Sequence, residues 1–223
     1  MKSLSRRLET IASFVDKGSF IADIGSDHCL LPIFLLSKGV IKEAQAVDNK
    51  PGPYERMTKA IENSGYKAQI HAFLSSGIEN LDPKADTLIL AGMGGFLISN
   101  ILKAHPENLK NIKTIIVDAH TDIRAVYETL SSMSFEIVDS CFLLDKGKPY
   151  DVMKWVKTDK EISYNDMEMT YGKFNLTSPN EEFRNYYEHY LSVLKGIQEK
   201  ASSDIAKMES VEKSINEITS ILK

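Results

Sequence analysis

The segment Phe20-Ile21-Ala22-Asp23-Ile24-Gly25-Ser26-Asp27-His28 ends an apolar run with acidic residues around a single glycine. Gly25 lets the backbone approach a ligand closely and take conformations barred to residues carrying a Cβ. Asp23, at the end of the run, is placed to hydrogen-bond the loop or a cationic amine. The phosphate-cradling pattern of three glycines is missing, and Asp27 stands where its second glycine would lie. A carboxylate there would repel a pyrophosphate. An anionic loop suits a ligand with ammonium and sulfonium charges better, with Ser26 as a further contact.

Three later segments fit the same picture. Asp48 ends a second apolar run, 25 positions after Asp23, where an acidic residue is expected to hold ribose hydroxyls. Asn49 follows it and opens the turn Asn49-Lys50-Pro51-Gly52-Pro53, which starts a helix. Ser75-Ser76-Gly77 follows a third run, where Ser76 and Gly77 could meet an adenine. Ala91-Gly92-Met93-Gly94-Gly95 follows a fourth, and three glycines in five residues suggest a ligand or substrate lying against backbone. Each segment alone is ordinary loop chemistry; four on consecutive strand ends make one site. Asp27 and His28 are the candidate catalytic residues, His28 as a contact or proton acceptor. His120, after a fifth run, is a weaker substrate-side candidate.

Strands alternating with helices must position these loops. Strand-like runs fall at Ser19–Ile24, Glu43–Val47, Ala68–Ala72, Ala85–Ala91 and Lys113–Val117, and helical stretches near 30–38, 52–64, 94–104 and 121–132. That alternation implies right-handed crossovers and a parallel sheet covered on both faces. An amphipathic helix over 3–15 precedes it. Phe135–Leu144 and Tyr150–Lys157 then follow with no room for a helix between them, so a hairpin is added to the parallel sheet. Such a hairpin separates a seven-stranded methyltransferase sheet from a plain dinucleotide-binding one. The expected fold is thus α/β, a Rossmann-like, mostly parallel seven-stranded sheet.

Residues 159–178 read as a polar linker with room for a short helix, and a heptad-like stripe runs from Pro179 to the end. A coiled-coil-like helical hairpin is expected, with Ser203 or Asp204 capping its second helix. The domains are then 1–158, holding the cofactor, and 159–223, a helical appendage. Two cysteines, no signal-peptide core and no window approaching the ~18 apolar residues of a span suggest a cytoplasmic protein off the membrane. No metal-ligand spacing stands out. The net charge is −4, with 8 basic and 12 acidic residues from Asp159 onward and 19 of each before it. A basic patch remains open around Lys2, Arg6 and Arg7, with Lys146, Lys148, Lys154 and Lys157, and Arg6 and Arg7 are candidate substrate contacts.

Together, A-D-I-G-S-D-H, D-N-K-P-G-P and A-G-M-G-G resemble the TrmK family of bacterial tRNA methyltransferases, which act on N1 of adenine 22. The resemblance spans nearly the whole chain. It implies a class I methyltransferase sheet, S-adenosylmethionine as cofactor and tRNA as substrate. It places Asp23, Gly25, Asp27, His28, Asp48 and Asn49 on the cofactor side. Gly92, Met93, Gly94 and Gly95 would then lie between cofactor and target base, with Gly94 and Gly95 counted as substrate contacts. Departures are Ser75-Ser76-Gly77 where the family often has Gly-Asp-Gly, and Asp118-Ala119-His120 where many members have Gln-Pro-Asn. On the appendage, Tyr186, Tyr187, Tyr190, Arg184 and Lys195 could add RNA contacts. Alternatives are a methyltransferase for a small molecule or protein, and a non-catalytic scaffold with a vestigial pocket. The default assembly is a monomer, if the heptad stripe closes on itself.

Overall fold

In the computed structural model, which describes residues 4–200 and 205–223, the alternation becomes one seven-stranded sheet. Helix α1 (Arg6–Ser13) leads in, its N-terminus capped by the Ser5 hydroxyl accepting from the Leu8 amide. Strands β1 (Phe20–Ile24), β2 (Glu43–Asp48), β3 (Ile70–Leu74), β4 (Thr87–Met93) and β5 (Thr114–Ala119) alternate with helices α2 (Leu30–Ser37), α3 (Pro51–Glu62), α4 (Gly95–Ala104) and α5 (Ile123–Ser132). Strands β6 (Phe135–Asp145) and β7 (Lys148–Lys157) form the closing hairpin. The order is β3-β2-β1-β4-β5-β7-β6, with β7 antiparallel to both its neighbours. Every residue of β5 is buried, as is every residue of β2 after Glu43, as expected of strands with helices on both faces.

Order reverses between β1 and β4, so the crevice at their carboxyl ends is the expected ligand position. Two buried side chains brace this region. Gln45 on β2 donates to the Asn80 carbonyl (2.7 Å) and accepts from the Asp82 amide (2.9 Å), tying down the connection from β3 to β4. On the other side, Trp155 of β7 is fully buried against Tyr127 of α5, ring centroids 4.9 Å apart.

The segment after β7 is more ordered than a linker. Tyr164 packs edge-on to Tyr127, and its hydroxyl accepts from the Ile137 amide at 3.0 Å. Helix α6 (Asp166–Tyr171) starts with a reciprocal capping box between Asn165 and Glu168. Arg124 of α5 then binds Asp166 at 2.8 Å. The first compact unit therefore runs through Gly172, and the second from Lys173, where the sequence had suggested a division after residue 158. In the second unit a short helix, α7 (Lys173–Thr177), is followed by α8 (Glu181–Lys200) and α9 (Ile205–Ile221), which pack together. Phe183, Leu194, Val211 and Ile218 of the heptad stripe are buried, whereas Tyr190 and Ile197 are exposed. The caps expected at Ser203 or Asp204 lie outside the described residues.

Candidate active site

The loop after β1 folds tightly. The amides of Gly25 and Ser26 both donate to the Val47 carbonyl, at 2.8 and 3.0 Å, which fastens the loop to β2. Gly25 has φ +80°, and Asp27 and Cys29 are also left-handed, at φ 43° and 54°. A Cβ on Gly25 would meet the flexible end of Met93 at 2.7 Å, so it is the left-handed conformation, more than space, that calls for glycine here. Asp23 is 6% exposed, and its carboxylate accepts from the Ser26 hydroxyl at 2.6 Å. Burial pushes its pKa up to about 6, against the Ser26 hydrogen bond, with the Asp48 charge adding to the rise.

Two cavities meet at Gly25. The first, about 280 Å³, is lined by Asp23, Gly25, Ser26, Asp27 and His28 with Ala91 and Gly92 opposite, and by Arg7 and Leu8 from α1. The second, about 330 Å³, has Asp48 and Asn49 at one end and Ser75, Ser76 and Gly77 at another. Its apolar wall is Met93 with Leu97, Ile101 and Ala104 of α4. Asp48 is buried and accepts from the Lys50 amide at 3.1 Å, leaving carboxylate capacity for a hydroxyl ligand. Gly77 has φ +82°, and a Cβ there would press to 3.0 Å on Ile101. Glu79 shapes the same turn by accepting from the Ser75 hydroxyl (2.8 Å) and the Ser76 amide (2.9 Å). Those bonds hold its carboxyl below the usual range, the Ser76 amide most of all.

Gly92 is the extra residue of a bulge in β4. Ala91 pairs with Asp118 and Met93 with Ala119, and Gly92 between them has φ +77°. The bulge turns its backbone toward the first cavity. Beside it, buried Asp118 on β5 holds Arg7 in an ion pair. Burial raises the Asp118 pKa, and the Arg7 charge opposes that rise. The Arg7 guanidinium lies over the Tyr150 ring at 5.3 Å, and His120 meets the same ring edge-on at 5.2 Å.

Of the sequence candidates, Asp23, Gly25, Ser26, Asp27, His28, Ala91, Gly92 and Arg7 line the first cavity, and Asp48, Asn49, Ser76, Gly77 and Met93 the second. Arg6, His120, Gly94 and Gly95 line neither. For the two glycines the reason is packing: a Cβ on Gly95 would lie 2.1 Å from the Asp122 carbonyl oxygen, and one on Gly94 3.2 Å from the Thr121 hydroxyl. Asp27 is not aimed at a substrate alone, since Arg56 donates to it from Nε (2.9 Å) and Nη2 (2.6 Å), and the His28 ring is 3.5 Å away. Sequence reasoning named Asp118 only within the Asp118-Ala119-His120 departure and did not single out Tyr150, Arg56 and Glu79, which hold cavity-lining residues in place. It also missed the wall of α4, whose signal was the spacing of Leu97, Ile101 and Ala104.

A crevice at this switch point, with acidic residues on two adjacent strand ends and an apolar slot beyond them, defines a Rossmann-like methyltransferase. A family model described as a methyltransferase domain matches residues 4–153. A Bacillus subtilis tRNA (adenine(22)-N(1))-methyltransferase is 30% identical over 170 residues, covering 76% of this chain and 71% of that one. Two solved structures are similar over nearly the whole of both chains. A Streptococcus pneumoniae protein described as a proposed tRNA (m1A22) methyltransferase, in complex with S-adenosyl-L-methionine, has a TM-score of 0.90 at 27% identity, covering 99% of this chain and 100% of that one. The M. capricolum TrmK, in complex with S-adenosyl-homocysteine, has a TM-score of 0.86 at 25% identity, covering 100% of each. This chain belongs to the TrmK family of tRNA (adenine(22)-N(1))-methyltransferases.

Proposed function

We propose that this chain transfers a methyl group from S-adenosylmethionine to N1 of adenine 22 in tRNA. The observation that carries the reading is the pair of cavities joined at Gly25, one bearing buried Asp23 and the other buried Asp48. A long ligand with a cationic end, a ribose and an apolar-faced base fits that sequence of groups. Asp23 would hold the ammonium, Asp48 the ribose hydroxyls, and Met93, Leu97 and Ile101 the faces of the adenine, with Ser76 at its polar edge. When bound, the cofactor supplies an electrophilic methyl group on a sulfonium centre.

Adenine N1 carries an in-plane lone pair, so the protein needs no strong base to create the nucleophile. Its task is positioning, with N1 held in line at near-attack distance. Removing the base from its stack costs a few kcal/mol. The methylated base is cationic, and carbonyl dipoles of the Gly92 bulge beside buried Asp118 would favour that charge. Asp27 and His28 contribute through the loop: Asp27, held by Arg56, fixes its left-handed turn, and His28 remains the candidate proton acceptor. His120 and Arg6 are assigned to the RNA side outside the cavities.

The enzyme is proposed to work as a monomer in the cytoplasm, and the free thiols of Cys29 and Cys141 suit a reducing compartment. Among the described residues no helix is long and apolar enough to cross a membrane, and no cluster of side chains could hold a metal ion. The test is methyl transfer from labelled cofactor to an unmodified tRNA transcript and to its A22G counterpart. Label is expected in the first and not in the second; equal label in both would contradict the assigned position.

A further inference from the structure

Gly94 and Gly95 line neither cavity, and their use lies in where they put the next residue. The Gly95 amide donates to the Thr121 carbonyl at 2.9 Å, and the Asp122 carbonyl oxygen occupies the space a Cβ would need. One turn on, the buried Ser99 hydroxyl donates to the Ala125 carbonyl at 2.9 Å. The first turn of α4 is thus fastened to the start of α5, and Phe96 is carried on it. Phe96 is 64% exposed, more than any other large hydrophobic side chain among the described residues. Its neighbour Leu97, at 53%, lines the second cavity, so a bound adenine accounts for that exposure. It does not account for Phe96, which lines neither cavity.

Helical spacing places Phe96, Asn100 and Lys103 on one exposed face, next to the face that Leu97, Asn100 and Ile101 turn to the second cavity. Lys103 forms no ion pair among the described residues. Side chains on a helix lean towards its N-terminus, and from Phe96 that direction leads back to Gly94 and the end of β4, beside both cavities. A lone exposed apolar residue needs no explanation. An aromatic ring, an amide and an ammonium in line at the rim of the site fit a strand of RNA, with a base stacked on the ring and a phosphate on the ammonium roughly 10 Å further along the axis. We propose that Phe96 is a positioning residue: it stacks on the base next to adenine 22 and fills the gap the target leaves, while Lys103 meets a phosphate of the same strand. This rests on the tRNA reading. Stacking on Phe96 offsets part of the cost of taking the adenine out of the helix.

The test uses the full chain with Phe96→Ala and Phe96→Trp, on unmodified tRNA and on a transcript in which the nucleotide paired with adenine 22 is abasic. Phe96→Ala should lower kcat/KM on the first RNA by roughly ten- to a hundredfold. Phe96→Trp should nearly restore it, and the loss should shrink on the abasic transcript, where the target is already loosened. Affinity for S-adenosylmethionine, read by calorimetry, should be unchanged in both variants, which also shows that they fold. With 2-aminopurine at position 22, the fluorescence rise on binding should be smaller for Phe96→Ala than for the unaltered protein. Lys103→Gln should weaken both RNAs alike and reduce the salt slope by about one. Full activity of Phe96→Ala, or an equal loss on both transcripts, overturns the proposal. So does a loss of cofactor affinity, which would place Phe96 on the cofactor side. Failure of the unaltered protein to methylate any tRNA would overturn the functional reading itself, so the two failures are distinguishable.

Discussion

At the scale of single residues, Asp23 sets a conflict between folding and binding. Its pKa in the folded protein is about 6, against an ordinary 3.8, because burial disfavours its charge. Between pH ~4 and ~6 the folded state therefore holds more protons than the unfolded one, and stability falls as pH rises through that window, levelling above it. A cationic ligand reverses the preference by favouring the ionised form. Cofactor affinity should thus fall as pH drops below about 6, measured by calorimetry from pH 5 to 8. Asp23→Asn should flatten that profile and weaken binding. The same change should stabilise the ligand-free protein at pH 8 by up to about 2–3 kcal/mol, as followed by urea denaturation. A less stable variant with unchanged affinity would contradict both halves. Two glycines give a second contrast. Gly95→Ala would drive a Cβ into the Asp122 backbone and should cost about 3 kcal/mol or more of stability. Gly25→Ala meets only the flexible end of Met93, at the junction of the cavities. Thermal melts and cofactor titrations on both should assign the larger stability loss to Gly95 and the larger affinity loss to Gly25.

At the scale of elements, the alternation of strands and helices was legible because short continuous apolar runs, the mark of strands buried on both faces, alternate with stretches of period 3.6. The acidic strand ends at Asp23 and Asp48 were legible too, since crossovers put consecutive loops at one edge of the sheet. The pairing of Arg7 with Asp118 was not, because the two stand 111 positions apart and only the closing of the sheet brings α1 to β5. Residues 159–165 misled for a different reason. Their order comes from one aromatic, Tyr164, seated on Tyr127 and Trp155, and from a capping box hidden in a polar stretch. Gly94 and Gly95 were read as ligand contacts because a glycine needed for packing and one needed for a ligand look alike in sequence. Tyr164→Phe should cost about 1–3 kcal/mol by leaving the Ile137 amide without its acceptor. Cofactor affinity should be unchanged; if it falls instead, the segment has a role in the site.

At the scale of the whole molecule, a net charge of −4 leaves little room for a broad electrostatic footprint on RNA. Binding of tRNA should therefore depend shallowly on salt, with a log–log slope of magnitude below about 4, corresponding to a few phosphate contacts. A steeper slope would mean that basic residues converge on a surface the sequence pattern does not reveal. The central claim is narrower: two cavities joined at Gly25 hold a methyl donor for an adenine ring nitrogen. Its most direct measurement is nucleoside analysis of an unmodified tRNA after incubation with the protein and labelled S-adenosylmethionine. The account predicts label in 1-methyladenosine; label in an exocyclic amine, in another base, or nowhere in the RNA would contradict it.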